Sequence, residues 1–224
     1  MVTARVTWFV AAVAAAGYLA LWLGQASGWG WIAAGDGDAL RAAYAFGAHR
    51  PAWIEFWNAV SMLLGPTVLR IIAIIGIVVA LLNRQPRIAV FLTLTVLAMG
   101  LVTVAAKAAV DRPRPDTALT AAASSSFPSG HALGIMVGVL AFLAILLPRV
   151  PRPARMWAVA AGAGAVLLVG VARVALNVHH PSDVLAGWAL GYLWFLACVT
   201  VVPPGPGPAD LGPAASPVAD RRPG

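Results

Sequence analysis

Long apolar stretches alternate with short polar segments along most of the chain, and the polar segments contain proline or clustered charges. A helix that crosses a bilayer needs about 20 predominantly apolar residues, and proline or charge marks the ends of such helices. The pattern therefore predicts an all-α, polytopic membrane protein with about six transmembrane helices. The expected spans are Val6–Gly24, Ala59–Leu82, Ile88–Val110, His131–Leu147, Met156–Val174 and Asp183–Val202. The first stretch is longer than the core of a usual signal peptide, so we favour a retained span over a cleaved signal.

Two further regions lack this pattern. The segment Gly28–Asn58 mixes apolar and charged residues, and Trp53 and Trp57 lie one helical turn apart in it. Because tryptophan prefers the membrane–water interface, we interpret this segment as an interfacial helix or a loop. The region Pro203–Gly224 is rich in proline and poor in large apolar residues, which is typical of disorder. We expect one domain over residues 1–202, followed by a disordered tail over residues 203–224.

The composition narrows the class of protein further. The chain is 61% hydrophobic and only 10% charged, whereas soluble domains are about 45–50% apolar and about 25% charged. A soluble globular protein, a disordered chain and a nucleic-acid binder are therefore disfavoured. The net charge of +7 mainly sets orientation, because arginine-rich loops face the cytoplasm. The loop Pro148–Arg155 is arginine-rich in this way, so we expect its side of the plasma membrane to be the cytoplasm. Six spans place both termini, and with them the tail, on that same side.

Polar residues that suit chemistry gather on the opposite, extracytoplasmic side. Lys107 lies at the end of the third span and Arg114 follows it, and Ser129, Gly130 and His131 lead into the fourth. Arg173 lies at the end of the fifth span, His179 in the link that follows, and Asp183 at the start of the sixth. Cationic side chains and a helix N-terminus bind anions such as phosphate, and a histidine with a carboxylate partner suits acid–base or nucleophilic catalysis. The sequence shows no Cys/His zinc spacing and no dense carboxylate cluster, so we expect neither a metal nor a cofactor.

These residues form three motifs with regular internal spacing. The motifs are Lys107-Ala-Ala-Val-Asp-Arg-Pro-Arg114-Pro115, Pro128-Ser129-Gly130-His131 and Arg173-Val-Ala-Leu-Asn-Val-His179-His-Pro-Ser-Asp183. In order and spacing they resemble the signature of the type 2 phosphatidic acid phosphatase (PAP2) superfamily, which includes membrane lipid phosphatases and vanadium haloperoxidases. The resemblance covers the chain from about the second span to the sixth and implies a six-helix membrane phosphatase.

The resemblance also implies a role for each motif residue. His179 would attack phosphorus and form a phosphohistidine, and Asp183 would orient its ring. His131 would protonate the leaving group and later activate water. The phosphoryl oxygens would be held by Lys107, Arg114, Ser129, the Gly130 N–H and Arg173. One position departs from the pattern, because Ala172 stands where the family has serine. A missing hydroxyl removes at most a hydrogen bond worth about 1 kcal/mol, so we expect tuned activity rather than lost activity.

Several residues near the motifs are open to interpretation. We interpret Arg112 as a solvated loop cation, although contact with substrate is an alternative, and His180 as a neighbour that shapes the pocket. Arg70 lies well inside the second span, where it either faces the bundle interior or snorkels to the interface. Two small-residue pairs are expected to let the site-bearing spans pack closely. These pairs are Gly134 with Gly138, and Gly187 with Gly191.

The first functional hypothesis is an integral-membrane, metal-independent lipid phosphatase. Its substrate would be a polyprenyl diphosphate such as undecaprenyl diphosphate, phosphatidylglycerol phosphate, phosphatidic acid or a phosphorylated prenyl-sugar. The alternatives are a lipid phosphotransferase with the same site and a catalytically impaired protein that binds lipid phosphates. A haloperoxidase is disfavoured because those relatives are soluble. The expected partners are the lipid phosphate and membrane lipids rather than nucleic acid, and the oligomeric state stays open.

Overall fold

The computed structural model describes residues 2–122 and 124–205. Its helices are α1 (Val2–Ala26), α2 (Gly30–Gly47), α3 (Pro51–Leu63), α4 (Pro66–Leu82), α5 (Pro86–Leu92), α6 (Met99–Ala108), α7 (Gly130–Leu146), α8 (Arg152–Ala175) and α9 (Pro181–Val201). Proline opens α3, α4, α5 and α9, because a residue without an N–H loses no hydrogen bond at the first helical position. The predicted tail lies, from residue 206 onward, outside the described residues.

Six helical segments are long and apolar enough to cross a membrane. They are Arg5–Ala26, Pro51–Leu82, Pro86–Ala108, Gly130–Arg149, Arg152–Ala175 and Pro181–Val201. Each segment overlaps one of the six predicted spans, so the prediction of an all-α, polytopic membrane protein is confirmed. In the third span a π-helical turn, Thr93–Leu97, joins α5 to α6. The Thr95 carbonyl in this turn accepts a hydrogen bond of 3.1 Å from Trp194 Nε1, which ties the third span to α9.

The segment between the first and second spans is helical, so the loop alternative was wrong. It contains α2 and α3, and α3 continues into α4 after a short break at Gly65, so that the second span begins at Pro51, earlier than predicted. Trp57 is only 9% exposed and packs in an apolar cluster with the end of α8. Trp53 Nε1 donates to the Ala175 carbonyl at 3.4 Å. The two tryptophans therefore lie on a helical face that packs on the end of α8.

Helices α7 and α9 approach each other closely because glycine lies between them. A Cβ atom added at Gly187 would lie 2.6 Å from the carbonyl oxygen of Ser129, and one added at Gly191 would lie 2.8 Å from another α7 carbonyl. The other small-residue pair has a different neighbour, since a Cβ added at Gly138 would lie 2.9 Å from Leu69 of α4. The expected glycine contact between the site-bearing helices is thus made by the α9 pair alone.

The arginine-rich loops and the motif residues lie at opposite ends of the bundle. Arg84, Arg87 and Arg149 line one small cavity, formed by the α4–α5 and α7–α8 connections. The motif residues lie at the other end, around the α6–α7 and α8–α9 connections. The basic loops and the motifs are therefore separated by the length of the spans, and the motif end lies near one membrane surface.

Candidate active site

The three motifs meet where α6 and α8 end and α7 and α9 begin. The backbone N–H of Ser129 donates to the Asp183 carbonyl at 2.9 Å, which joins the second motif to the third. Nη1 of Arg114 lies 3.2 Å from Nε2 of His179, which joins the first motif to the third. Residues far apart in the sequence thus form one cluster.

The centre of this cluster is the pair of His179 and Asp183. His179 is 1% exposed and lies in the turn between α8 and α9. Its Nδ1 faces Oδ2 of Asp183 at 3.5 Å, and its Nε2 faces Arg114. Asn177, two residues earlier, has a φ of 54°, a left-handed conformation that asparagine tolerates and that reverses the chain here. One ring nitrogen therefore faces a carboxylate and the other faces a cation.

Asp183 is fully buried and surrounded by donors. The backbone N–H of His180 donates to Oδ2 at 2.9 Å, and the His180 ring nitrogen Nδ1 lies 3.1 Å from the same oxygen. Arg112 donates to the other carboxylate oxygen at 2.7 Å. A buried carboxylate needs such partners to stay ionised. His180 therefore belongs to the shell around Asp183, in agreement with its interpretation as a neighbour.

The interpretation of Arg112 as a solvated loop cation was wrong. Its side chain is 12% exposed and forms ion pairs with Asp183 and with Asp36 of α2, the latter at 2.9 Å. Asp36 is 4% exposed and also accepts a hydrogen bond of 2.9 Å from the backbone N–H of Ser182. The Asp36 carboxylate thus balances Arg112 and stabilises the N-terminus of α9.

Sequence interpretation missed Asp36, although a signal was present. Ile32, Asp36 and Leu40 recur every four residues and form the buried face of α2. A carboxylate on such a face is predicted to be buried, and a buried carboxylate needs a cationic partner. This periodicity has a meaning only in a helix, and the sequence interpretation did not decide whether Gly28–Asn58 is a helix or a loop.

Arg173 approaches the site from the end of α8. It is 7% exposed, and its Nη1 donates to Oγ of Ser61 on α3 at 2.6 Å. Its buried Nε has no hydrogen-bond partner among the described residues, so this donor is available to an anion. Ser61 was not predicted, because no sequence pattern links a serine of the second span to the motif of the fifth.

The other two motif cations hold the connection between α6 and α7. Arg114 donates to the carbonyls of Ser124 at 2.9 Å and Val178 at 2.7 Å, and Nζ of Lys107 donates to the carbonyl of Ser125. An arginine has five N–H donors and a lysine has three. Both side chains can therefore hold the loop and bind a phosphoryl oxygen at the same time.

The helix N-terminus expected from the second motif is present. Ser129 is fully buried, and its Oγ accepts a hydrogen bond of 3.4 Å from the backbone N–H of Ala132. Ser129 is thus the N-cap of α7. A Cβ added at Gly130 would lie 3.2 Å from Thr103, so the chain passes close to α6 here. His131 follows in the first turn and is half-buried.

An open cavity of about 680 Å³ lies beside these residues. His131 and Lys107 line its polar end, and Val104 and Met99 belong to its apolar wall. The cavity continues into the membrane-spanning part of α4, where Arg70 lines it. Of the two interpretations of Arg70, the structure thus supports a position facing the bundle cavity.

The surroundings of His179 favour a neutral ring. Burial lowers the pKa of His179 well below its usual range, and the charges of Arg173 and Arg114 act in the same direction, although Asp183 opposes them. A neutral imidazole keeps a lone pair on one nitrogen, which nucleophilic attack requires. Burial also lowers the pKa of Arg114, but a guanidinium stays protonated in proteins.

Ala172, which replaces the serine of the family pattern, has an apolar environment. It is fully buried in a cluster with Trp57, Leu176 and Val178. A methyl group suits these neighbours.

In the parts of the chain that the structure describes, no group of three or more His, Cys, Asp or Glu side chains is arranged to hold a metal ion.

The fold and the site together define a polytopic helical membrane protein with a buried histidine–aspartate pair among cations. The model of the PAP2 superfamily matches residues 88–205, which is more than half of the chain. The chain belongs to this superfamily, as the sequence motifs predict.

Several known proteins are similar over part of the chain. Phosphatidylglycerophosphatase B of Bacillus subtilis is 42% identical over 90 residues, which cover 38% of this chain and 44% of that protein. Lipid A 1-phosphatase of Rhizobium etli is 37% identical over 126 residues, covering 51% of this chain and 50% of that protein. Undecaprenyl-diphosphatase of Sulfolobus acidocaldarius is 41% identical over 66 residues, covering 30% of this chain and 28% of that protein. The chain thus spans half or less of the length of these relatives.

A solved structure is similar over more of the chain. It is described as the crystal structure of the first transmembrane PAP2 type phosphatidylglycerolphosphate phosphatase from Bacillus subtilis. The superposition has a TM-score of 0.73 at 25% identity, and it covers 86% of this chain and 96% of that one. The six-span helical fold is therefore that of a transmembrane PAP2 protein.

Proposed function

We propose that this protein is an integral-membrane phosphatase that removes phosphate from a lipid phosphate or diphosphate through a phosphohistidine on His179. The main support is the buried His179 ring, with one nitrogen facing Asp183 and the other facing Arg114. Membership of the PAP2 superfamily and similarity to three lipid phosphate phosphatases support the substrate class. We further propose that the reaction needs no metal, because lysine and arginine supply the positive charge.

In the first step, Nε2 of neutral His179 attacks phosphorus, and the bond between phosphorus and the leaving oxygen breaks. Asp183, whose Oδ2 lies 3.5 Å from Nδ1, orients the ring and stabilises the positive charge that develops on it. His131 gives its proton to the leaving oxygen, so the lipid departs as an alcohol or, from a diphosphate, as a monophosphate. The charge on the other phosphoryl oxygens is stabilised by Lys107, Arg114 and Arg173, aided by the N-terminus of α7.

In the second step, water attacks the phosphohistidine. His131 takes a proton from the water, the phosphorus–nitrogen bond breaks, and inorganic phosphate leaves with neutral His179 restored. If an alcohol replaces water as the acceptor, the protein is a phosphotransferase and no inorganic phosphate appears. Release of inorganic phosphate therefore distinguishes a phosphatase from a phosphotransferase.

The cavity between α4 and α6 supports a lipid as the substrate. Its polar end, at His131 and Lys107, suits a phosphate, and its continuation into the spans suits the apolar part of the molecule. The candidate substrates are phosphatidylglycerol phosphate, phosphatidic acid, undecaprenyl diphosphate and a lipid A phosphate.

We propose that the site faces the extracytoplasmic side of the plasma membrane, because the arginine-rich end is expected in the cytoplasm. The single cysteine, Cys198, can be replaced by serine, and new cysteines placed at Ala118 near the site and at Val150 at the other end. In intact cells a membrane-impermeant maleimide is expected to label the Ala118→Cys protein and not the Val150→Cys protein. The reverse labelling would contradict the orientation.

Phosphate release by purified protein tests the proposed function. The substrates are the candidate lipids, assayed with and without EDTA, and the variants are His179→Ala and His131→Ala. We expect release from at least one lipid, no effect of EDTA, and loss of activity in both variants. The exposed His49 provides a matched control, because His49→Ala is expected to keep full activity. Activity in His179→Ala, or dependence on an added metal, would contradict the proposal.

A further inference from the structure

Arg70 is a cation inside a membrane-spanning helix. It lies one turn into α4, and it forms no hydrogen bond or ion pair with any residue that the structure describes. A Cβ added at Gly100 of α6 would lie 3.4 Å from its Nη2, so the guanidinium spans the gap between α4 and α6. Charged residues within spans are costly and mostly line pathways or binding sites.

The cavity that Arg70 lines is the one that reaches the candidate active site. His131 and Lys107 lie at one end of it, and Arg70 and Gly100 lie along its length. Gly100 precedes Lys107 by two turns of α6, which places the guanidinium about 10 Å below the level of Lys107 at 1.5 Å per residue. A lipid that puts its phosphate at His131 therefore passes Arg70 with the part just below its headgroup.

The chemistry of a guanidinium restricts which part of a substrate can bind beside Arg70. Arginine binds carboxylate, phosphate and carbonyl oxygens through several N–H groups at once, and it gains nothing from a hydrocarbon chain. Glycerolipid phosphates have oxygens several bonds below the reacting phosphate, either in ester carbonyls or in a phosphodiester, whereas the second phosphate of a diphosphate is joined directly to the first. A polyprenyl diphosphate has only hydrocarbon below its two phosphates.

We propose that Arg70 binds the ester or phosphodiester oxygens that lie below the reacting phosphate and makes the protein selective for glycerolipid phosphates over polyprenyl diphosphates. The proposal rests on the proposed function, since it assumes that the reacting phosphate occupies the His131 end. Arg70 is a specificity-determining residue in this account and takes no part in the chemical step.

Four substrates and the Arg70→Met variant test this inference. The substrates are diacyl phosphatidate, its dialkyl ether analogue, dialkyl-ether phosphatidylglycerol phosphate and a polyprenyl diphosphate. If Arg70 binds ester carbonyls, the KM for diacyl phosphatidate rises roughly ten- to a hundredfold, the loss expected for one hydrogen bond to a charged group, with kcat almost unchanged. If it binds the phosphodiester, the KM rises for the ether-linked phosphatidylglycerol phosphate instead. In both cases the KM and kcat for the polyprenyl diphosphate are the same in the wild-type protein and in Arg70→Met.

Equal effects on all four substrates, or no effect on any, would overturn the proposal. Arg87→Met, at the opposite end of the bundle, is the matched control and is expected to change none of the constants. Arg70→Lys keeps the charge but loses the fork of N–H groups, so it is expected to show the same substrate pattern with a smaller rise in KM. It serves as the test if Arg70→Met does not fold.

If the protein is not a lipid phosphatase, the wild-type protein releases phosphate from none of the four lipids. Thermal stabilisation by each lipid then still tests Arg70, because a ligand that binds the native state raises the Tm. Stabilisation by a glycerolipid that is lost in Arg70→Met supports the site, and identical stabilisation of both proteins contradicts it.

Discussion

Arg112 donates a hydrogen bond of 2.7 Å to Oδ1 of Asp183, while the other carboxylate oxygen faces His179. The same guanidinium pairs with the buried carboxylate of Asp36. The carboxylate that orients the candidate nucleophile is thus held by a cation outside the family signature, and α2 is connected to the site through it. We regard Arg112 as a positioning residue that acts through Asp183.

The first prediction concerns this network. Arg112→Gln leaves two buried carboxylates without their cation, and breaking such pairs typically costs about 3–5 kcal/mol. We expect a large fall in the Tm and a kcat lowered by about tenfold or more, with KM nearly unchanged because Arg112 does not line the cavity assigned to the substrate. The measurements are thermal unfolding in detergent and steady-state kinetics.

An exposed arginine provides the comparison for Arg112. Arg41 pairs with Asp38 on the surface, where both side chains are 74% exposed, so Arg41→Gln is expected to alter stability by less than about 1 kcal/mol. Similar behaviour of the two variants would show that the Arg112 network does not position Asp183.

Much of the fold and of the site could be predicted from the sequence, and there is a physical reason why the other parts could not. Runs of apolar residues specify the spans because the bilayer requires a minimum helix length. The motif residues are recognisable because phosphate chemistry requires particular side chains at fixed spacing. The periodicity of α2 indicates that Asp36 is buried, but its pairing with Arg112 could not be predicted in this way, and neither could the contact of Ser61 with Arg173. In both cases the partners lie on segments that come together only through tertiary packing.

The second prediction concerns the contact between α7 and α9. In Gly187→Ala the new methyl group would meet the Ser129 carbonyl at 2.6 Å, so α9 must move away from the helix that bears His131. We expect a lower Tm and reduced kcat, since overpacking costs about 1–3 kcal/mol. Gly164 on α8 is the control, because a Cβ atom there meets nothing within 4 Å. Gly164→Ala is expected to leave activity unchanged, and an equally harmless Gly187→Ala would contradict the packing argument.

The third prediction concerns Ala172. Ala172→Ser restores the residue of the family pattern, and a buried serine in a helix can donate to the carbonyl four residues earlier. We expect kcat/KM to change by less than about tenfold, the equivalent of one hydrogen bond. A gain of several orders of magnitude would instead support the alternative of a catalytically impaired lipid-phosphate-binding protein.

The fourth prediction uses the lowered pKa of His179, which results mainly from burial. The unfolded chain takes up a proton at this position as the pH falls below about 6.5, whereas the folded protein does not until the pH is lower. The unfolded state therefore binds more protons in this window, and acid destabilises the fold through His179. Between pH 8 and pH 5 the Tm of the wild-type protein should fall more than that of His179→Asn. An equal fall in both would contradict a buried neutral histidine.

The central claim is that His179 becomes phosphorylated during turnover. The most direct test is a rapid acid-free quench of the protein with a lipid substrate labelled with radioactive phosphorus, followed by peptide mapping. We expect a base-stable, acid-labile phosphoryl group on the peptide that contains His179, absent from His179→Asn and present in His49→Ala. Phosphate release without such an intermediate, or labelling of another residue, would contradict the account.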